Sequence, residues 1–307
     1  MKKNIMMCIF LLITVIIFAG CDNDSSTTST NLYSLTVNTQ GQGTVDIQPK
    51  QDQYDANTTV TLIAKPDSDW DFSSWEGSGY TGNINTNIKL IMDSDKTLNA
   101  VFGQVLLKDD FSDNSNNWYS GDTSDSEFYF TEDGKYAVTI NDQNISWLIS
   151  IPIDIYPEDY YVEYDFEFDT DNYTEMALPF NYHDIDNYYK FRISIYGNYN
   201  INKKENGEWS KLVDWTGSDY IKEGTVNKIA IKKFDNKYYF YANGKYLDSI
   251  TVDSDAVTPE MRIGVGNSDD FPATIKYDNF KYLNLSPGNE TTAAFSKEVK
   301  LDFDISE

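Results

Sequence analysis

Two cysteines, one histidine and two arginines are all that this 307-residue chain holds of those three residue types. Cys8 lies inside an apolar leader, so a mature chain keeps only Cys21 and can form no intramolecular disulfide. The lone imidazole, His183, removes most histidine-dependent zinc sites. It also leaves any Ser-His-Asp arrangement dependent on one residue beside Asp184, where a turn is the simpler reading. No stretch after the leader keeps a helical apolar period for several turns, so no glycine-rich phosphate loop has a helix to open. Positive charge is scarce as well: 24 Lys and Arg stand against 49 Asp and Glu, a formal charge of −25. So acidic a surface argues against nucleic acid and against wide contact with anionic lipid head groups.

What is abundant points to strands. Aromatics make up 15% of the residues, 23 of them Tyr, and Thr, Ile and Val are frequent. That mixture suits half-buried pleated surfaces, and the chain reads as all-β. Its first 20 residues read as a signal peptide. Lys2 and Lys3 precede an apolar run, Ile5 to Phe18, broken by Thr14. A membrane span needs roughly 20 apolar residues, so this run is too short to cross. It ends in Phe18-Ala19-Gly20-Cys21, which resembles the lipobox of bacterial lipoproteins, with Phe18 in place of the usual Leu. The resemblance implies an acylated Cys21 that ties the chain to a lipid membrane. Several acyl chains, at about 0.8 kcal/mol per buried methylene, make an adequate anchor. The plain alternative is an ordinary signal peptide with a chance cysteine. Residues 21–31 continue as a polar tether, which places the protein outside the cytosol, at the outer membrane, the cell surface or the periplasmic leaflet.

Residues 32–104 form a first module. Ser34 to Thr39 alternates, Gly41-Gln42-Gly43 turns and Thr44 to Gln48 returns; Thr58 to Ala64, Asn87 to Met92 and Thr97 to Phe102 are later strands. Leu35-Thr36-Val37, Gly41-Gln42-Gly43-Thr44-Val45, Trp75-Glu76-Gly77, Met92-Asp93-Ser94-Asp95-Lys96-Thr97 and Ala100-Val101-Phe102 together resemble the divergent internalin-B repeat of bacterial surfaces. The resemblance implies a small β-grasp-like stalk or adhesion module without catalysis. Trp70, Phe72 and Trp75 read as packing aromatics, with a ligand platform as the alternative.

Residues 105–285 are the main domain, large enough for one substantial core. Tyr161 to Phe168 puts Val162, Tyr164, Phe166 and Phe168 on one face and Tyr161, Glu163, Asp165 and Glu167 on the other. Tyr188 to Tyr196 alternates likewise, Lys228 to Lys232 is a third strand, and Asn243-Gly244 closes a hairpin between Lys237–Ala242 and Lys245–Ile250. Regular short strands with such turns predict a sandwich. The order of Asp110-Phe111-Ser112-Asp113 with Trp118, Tyr160-Tyr161-Val162-Glu163, Asp186 to Ile193, Asn206-Gly207-Glu208-Trp209, Tyr241 to Lys245 and Tyr277-Asp278-Asn279-Phe280 is similar to laminin-G-like and concanavalin A-like jelly rolls. That resemblance implies a two-sheet antiparallel sandwich, a fold that hosts lectins, glycosidases and spacers alike. A tail, 286–307, alternates briefly at Val299 to Ile305 and either adds a strand or stays loose.

Three groups of residues carry candidate chemistry. Glu163, Asp165 and Glu167 share a face, as in laminarinase-type glycosidases, where one carboxylate attacks and another donates a proton. The plain reading pairs them across strands with Lys190, Arg192 and Lys228. Tyr182, Tyr188, Arg192, Trp209 and Trp215 are the candidate ligand-binding residues: indoles stack on sugar rings and a guanidinium forks to a hydroxyl or carboxylate. Arg192 could equally pin Glu163 or Asp165, and the Trp residues could fill a core. Asp169-Thr170-Asp171-Asn172 and Asp184-Ile185-Asp186-Asn187 resemble calcium runs but read more simply as turns. A single structural calcium near Asp110 and Asp278 is the alternative. No other cofactor is expected. The reading is of a lipoprotein that binds carbohydrate or an extracellular ligand without catalysis. The competing readings are a glycosidase and a structural stalk that contacts another surface protein.

Overall fold

The computed structural model describes residues 31–153, 155–253, 261–267, 271–288, 290–292 and 301–305. The leader, Cys21 and the tether to residue 30 lie outside them. Among the described residues there is no helix, and the chain is all-β. The N-terminal part contributes β1 (Leu32–Tyr33), β2 (Leu35–Gln40), β3 (Gly43–Gln48), β4 (Tyr54–Asp55), β5 (Thr58–Pro66), β6 (Trp70–Glu76), β7 (Asn87–Met92) and β8 (Lys96–Asp109). The order β3-β5-β7 makes one sheet, while β8 lies between β2 and β6 in another.

Gly41, at φ +80, turns so tightly that a Cβ would collide with the Phe102 carbonyl. The strand after this turn does not return along β2. β2 runs parallel to β8 and β3 antiparallel to β5, so the turn passes the chain from one sheet to the other. Period-two positions of both sheets then meet in one core containing Val60, Leu62, Leu90, Met92, Leu98 and Phe102. Phe72 and Trp75 belong to that core, and the Trp75 indole Nε1 donates to the Asn85 carbonyl at 2.9 Å.

The 14-residue strand β8 does not stop at the end of this module. Its second half pairs with a strand of the main domain, so the division at 104/105 falls inside one continuous strand. The main domain adds β9 (Gly121–Asp122), β10 (Ser126–Phe130), β11 (Tyr136–Ile140), β12 (Ile145–Ser150), β13 (Ile155–Pro157), β14 (Tyr160–Phe168), β15 (Thr174–Asp184), β16 (Asn187–Ser194), β17 (Asn198–Glu205), β18 (Glu208–Gly217), β19 (Asn227–Phe234), β20 (Lys237–Ala242), β21 (Lys245–Thr251), β22 (Arg262–Asn267), β23 (Ala273–Asn284), β24 (Glu290–Thr292) and β25 (Leu301–Ile305).

Two antiparallel sheets result. Sheet I has the order β21-β20-β19-β14-β23-β11-β10-β9, with β8 beside the C-terminal half of β23. Sheet II has the order β18-β17-β16-β15-β22-β12-β25, so the described part of the tail supplies an edge strand. Alternate residues of each face inward: Val162, Tyr164, Phe166 and Ile231 from sheet I meet Leu178, Phe180, Phe191 and Ile263 from sheet II. Each such large apolar side chain, fully buried, contributes roughly 1.5–3 kcal/mol. The hairpin β20–β21 closes through Asn243 (φ 49) and Gly244 (φ 75), the two left-handed residues that a type I′ turn requires. Asn206 and Gly207 close β17–β18 in the same way.

The N-terminal module covers part of the outer face of sheet I. Val101 packs there with Tyr161, Ala230, Tyr241, Leu283 and Leu285. Gly103 permits the approach, since a Cβ would lie 2.7 Å from Leu283 Cβ. Lys232, 5% exposed, donates to Ser74 Oγ at 2.8 Å and to Glu76. Lys281 spans Glu163 at 2.9 Å and Asp71 at 3.6 Å.

Candidate functional site

The five candidate ligand-binding residues come from three strands, β15, β16 and β18, and meet on one surface, the outer face of sheet II. Directly opposed residues of an antiparallel pair share a face. Since Tyr189, Phe191 and Ile193 point into the core, Tyr188, Lys190, Arg192 and Ser194 point outward. Register carries that face across the sheet. Tyr188 opposes Lys204, which opposes Trp209; Lys190 opposes Asn202, which opposes Lys211; Arg192 opposes Asn200. On the other side Arg192 opposes Ala177, Ala177 opposes Gly264, and Gly264 opposes Leu148. Between Arg192 on β16 and Arg262 on β22, two strand spacings or about 10 Å apart, the floor is therefore built from Ala177 and Gly264.

Three buried cations on this face lie over rings. The Arg192 guanidinium sits 5.1 Å from the Trp215 ring centre, the Arg262 guanidinium 3.8 Å from Tyr182, and Lys190 Nζ 4.6 Å from Trp209. Such contacts are worth about 0.5–1 kcal/mol when exposed and about 2 when desolvated. Tyr182 and Tyr188 are 4% and 1% exposed and pack with Leu148 and Trp209. They form floor rather than platform. Trp209 and Trp215 are half-buried and remain the rings within reach of a ligand.

The structure corrects the expected partner of Arg192. Its strand lies in sheet II and β14 lies in sheet I, so Arg192 reaches neither Glu163 nor Asp165. Instead it donates from its terminal nitrogen to Glu175 Oε2 at 3.0 Å and from Nε to Asn200 Oδ1 at 3.0 Å. Lys190 is likewise on the wrong sheet to pair with those acids. Arg262 pairs with Asp302 at 2.6 Å, and Tyr182 Oη donates to the same carboxylate. Glu175, Asn200, Asn202, Ser194 and Asp302 were not singled out from the sequence. The alternation Tyr199-Asn200-Ile201-Asn202 held a signal for two of them, because Ile201 is core and its neighbours must face out.

Glu163, Asp165 and Glu167 do share the outer face of sheet I, and lysines bind all three. Lys228 contacts Glu163 and Asp165 at 3.3 Å each, Lys281 contacts Glu163 at 2.9 Å, and Lys135 contacts Glu167 at 2.6 Å. Burial alone would raise the Glu163 carboxyl. The charges of Lys281 and Lys228 and the Tyr161 hydroxyl outweigh it and hold the carboxyl below its ordinary value. A proton-donating glycosidase acid needs the opposite shift. Glu163 and Asp165, but not Glu167, border an open polar cleft of about 630 Å³, lined also by Asp71, Lys108 and Asp110.

Of the aspartates weighed for calcium, Asp110 and Asp184 accept from nearby turn groups, while Asp278 lies within β23 opposite Asp165. Asp110 Oδ1 accepts from Ser112 N, Asp184 Oδ1 from Asp186 N and Asn187 Nδ2, and Asp278 Oδ1 from Asn279 N. Burial and the neighbouring charges of Asp165 and Asp110 raise the Asp278 carboxyl. Asp169 pairs with Lys276 at 2.6 Å. Among the described residues no group of three acidic, histidine or cysteine ligands converges. His183 is the next-to-last residue of β15 and is exposed.

Residues 33–106 match the family described as the divergent InlB B-repeat domain. No curated protein sequence matches the chain. Among solved structures, a Bacillus subtilis protein of unknown function with a galectin-like fold is similar at 11% identity and a TM-score of 0.43, over 62% of this chain and 98% of that one. The Bacillus licheniformis β-glucanase is similar at 11% identity and a TM-score of 0.42, over 58% of this chain and 97% of that one. The carbohydrate-binding module CBM66 from Bacillus subtilis is similar at 17% identity and a TM-score of 0.37, over 55% and 98%. Likenesses this distant carry no conclusion about activity. The sandwich rests on its own sheet order and its shared core, and the match at 33–106 identifies the N-terminal module.

Proposed function

We propose that this chain is an exported lipoprotein that holds carbohydrate on the outer face of sheet II and does not transform it. The observation that carries the reading is the convergence of Trp209, Trp215, Arg192 and Arg262 on that one face, over a floor of Tyr182 and Tyr188. Half-buried indoles offer apolar ring faces to the C–H patches of a sugar, and fixed guanidinium groups offer paired donors to its oxygens. The module at 32–104 is a platform that shares β8 with the sandwich and leaves sheet II on the far side of the core. In this reading the acylated Cys21 and the tether to residue 31 hold both parts at a membrane.

A glycan array on the full-length protein, beside Trp209→Ala and Trp215→Ala, tests the binding claim. Retention of a defined glycan set by the wild type, weakened at least tenfold in either variant, is the expected result. A blank array would remove carbohydrate and favour contact with another protein. Metabolic labelling with palmitate tests the anchor: label on the wild type and none on Cys21→Ser is expected, and an unlabelled wild type would refute it.

A further inference from the structure

The chain carries a formal charge of −25, yet the outer face of sheet II has the opposite sign. Both of the chain's arginines stand on it, with Lys190, Lys204 and Lys211. Opposing them among the described residues are Glu175, Asp302 and, at the rim beside Lys211, Asp214. Buried cations are costly to maintain without counter-charge, and three of the five buried cations among the described residues, Lys190, Arg192 and Arg262, stand on this face.

Two buried donors mark one spot on this face. Asn200 is fully buried and Ser194 is 3% exposed. Neither Asn200 Nδ2 nor Ser194 Oγ has a hydrogen-bond partner among the described residues. The amide orientation of Asn200 is fixed, because its Oδ1 accepts from Arg192 Nε at 3.0 Å. What is left over is therefore an N–H donor. Asn200 opposes Arg192 in register, and Ser194 lies two residues from Arg192 on the same face. A guanidinium flanked by an amide donor and a hydroxyl forms a set of donors suited to an oxyanion.

We infer that the glycan held on this face is an acidic one, whose sugar carboxylate is received by Arg192, Asn200 Nδ2 and Ser194 Oγ. This rests on the glycan-holding reading above and narrows its ligand class to uronate- or sialate-bearing chains.

The test uses the full-length protein against matched pairs: trigalacturonic acid with galactotriose, and sialyllactose with lactose, beside the neutral and acidic glycans of an array. At least one acidic probe is expected to bind ten or more times tighter than its neutral twin, with the preference shrinking as salt rises. Asn200→Asp keeps the acceptor for Arg192 but replaces the donor with a carboxylate, and it should abolish the preference. Ser194→Ala should weaken acidic probes several-fold at an unchanged melting temperature. Array binding with equal affinity for acidic and neutral glycans would overturn this inference and leave the broader reading standing. A wholly blank array would remove both.

Discussion

Glu76→Ala offers the sharpest test of how the module is joined to the sandwich. Glu76 contacts Lys232 across the seam, and Lys232 is 5% exposed. Removing the carboxylate leaves Lys232 with Ser74 Oγ as its hydrogen-bond partner among the described residues. Removing one member of a fully buried pair costs about 3–5 kcal/mol. The Glu76 side chain is 26% exposed, so water offsets part of that loss, and about 2–3 kcal/mol is the expected destabilisation. Lys232→Met keeps the apolar stem and leaves Glu76 able to hydrate, so it should cost about 1 kcal/mol. The double variant removes both charges and should be more stable than Glu76→Ala alone, a coupling of about 1–2 kcal/mol. Urea unfolding followed by tryptophan fluorescence measures all four proteins. Because β8 belongs to both parts, module and sandwich should unfold in one transition. Additivity within about 0.5 kcal/mol, or a separate early transition of the module, would refute the reasoning.

Further outcomes follow from single positions. Leu178→Ala empties a fully buried site between the sheets and should cost about 2–5 kcal/mol in urea unfolding, with loss below about 1 kcal/mol contradicting its core placement. Gly244→Ala forces an alanine to φ 75, with its Cβ 2.9 Å from Asn85 Oδ1. It should cost about 1–2 kcal/mol, read as a lowered urea midpoint. The Glu163 carboxyl is held below its ordinary 4.5, so the unfolded chain takes up that proton first. Its contribution is present above pH 4.5 and is lost as pH falls through the lower folded value. Glu163→Gln should therefore lower stability at pH 7 and flatten the wild type's decline under acid; an unchanged acid limb would count against the lysine pairing. Finally, incubation with β-glucans should release no reducing ends, and release abolished by Glu163→Gln would restore the glycosidase reading.

Local patterns in the sequence carried the strands and their two faces. Val162, Tyr164 and Phe166 against Glu163 and Asp165, and the Asn243-Gly244 turn, are recorded in residues close together along the chain. Which strands become neighbours is a long-range matter that period two does not record. That is why Arg192 and Glu163 seemed eligible partners although they sit on different sheets, and why β3 pairs with β5 instead of β2. Cover is equally illegible: Tyr161 lies on a face that reads as polar, yet it is 1% exposed because Val101, Tyr241 and Leu283 pack over it. For the candidate site, the aromatic and guanidinium residues stood out by type. Asn200 and Ser194 did not, since a polar residue on an outward position is unremarkable until its neighbours bury it.

The most direct measurement is hydrogen–deuterium exchange of the full-length protein with and without a glycan retained on the array. The account predicts slowed exchange in β16 to β18, residues 187–217, with β14 and β19 unchanged. Protection confined to β14 and the cleft beside Glu163, with sheet II unaffected, would contradict it.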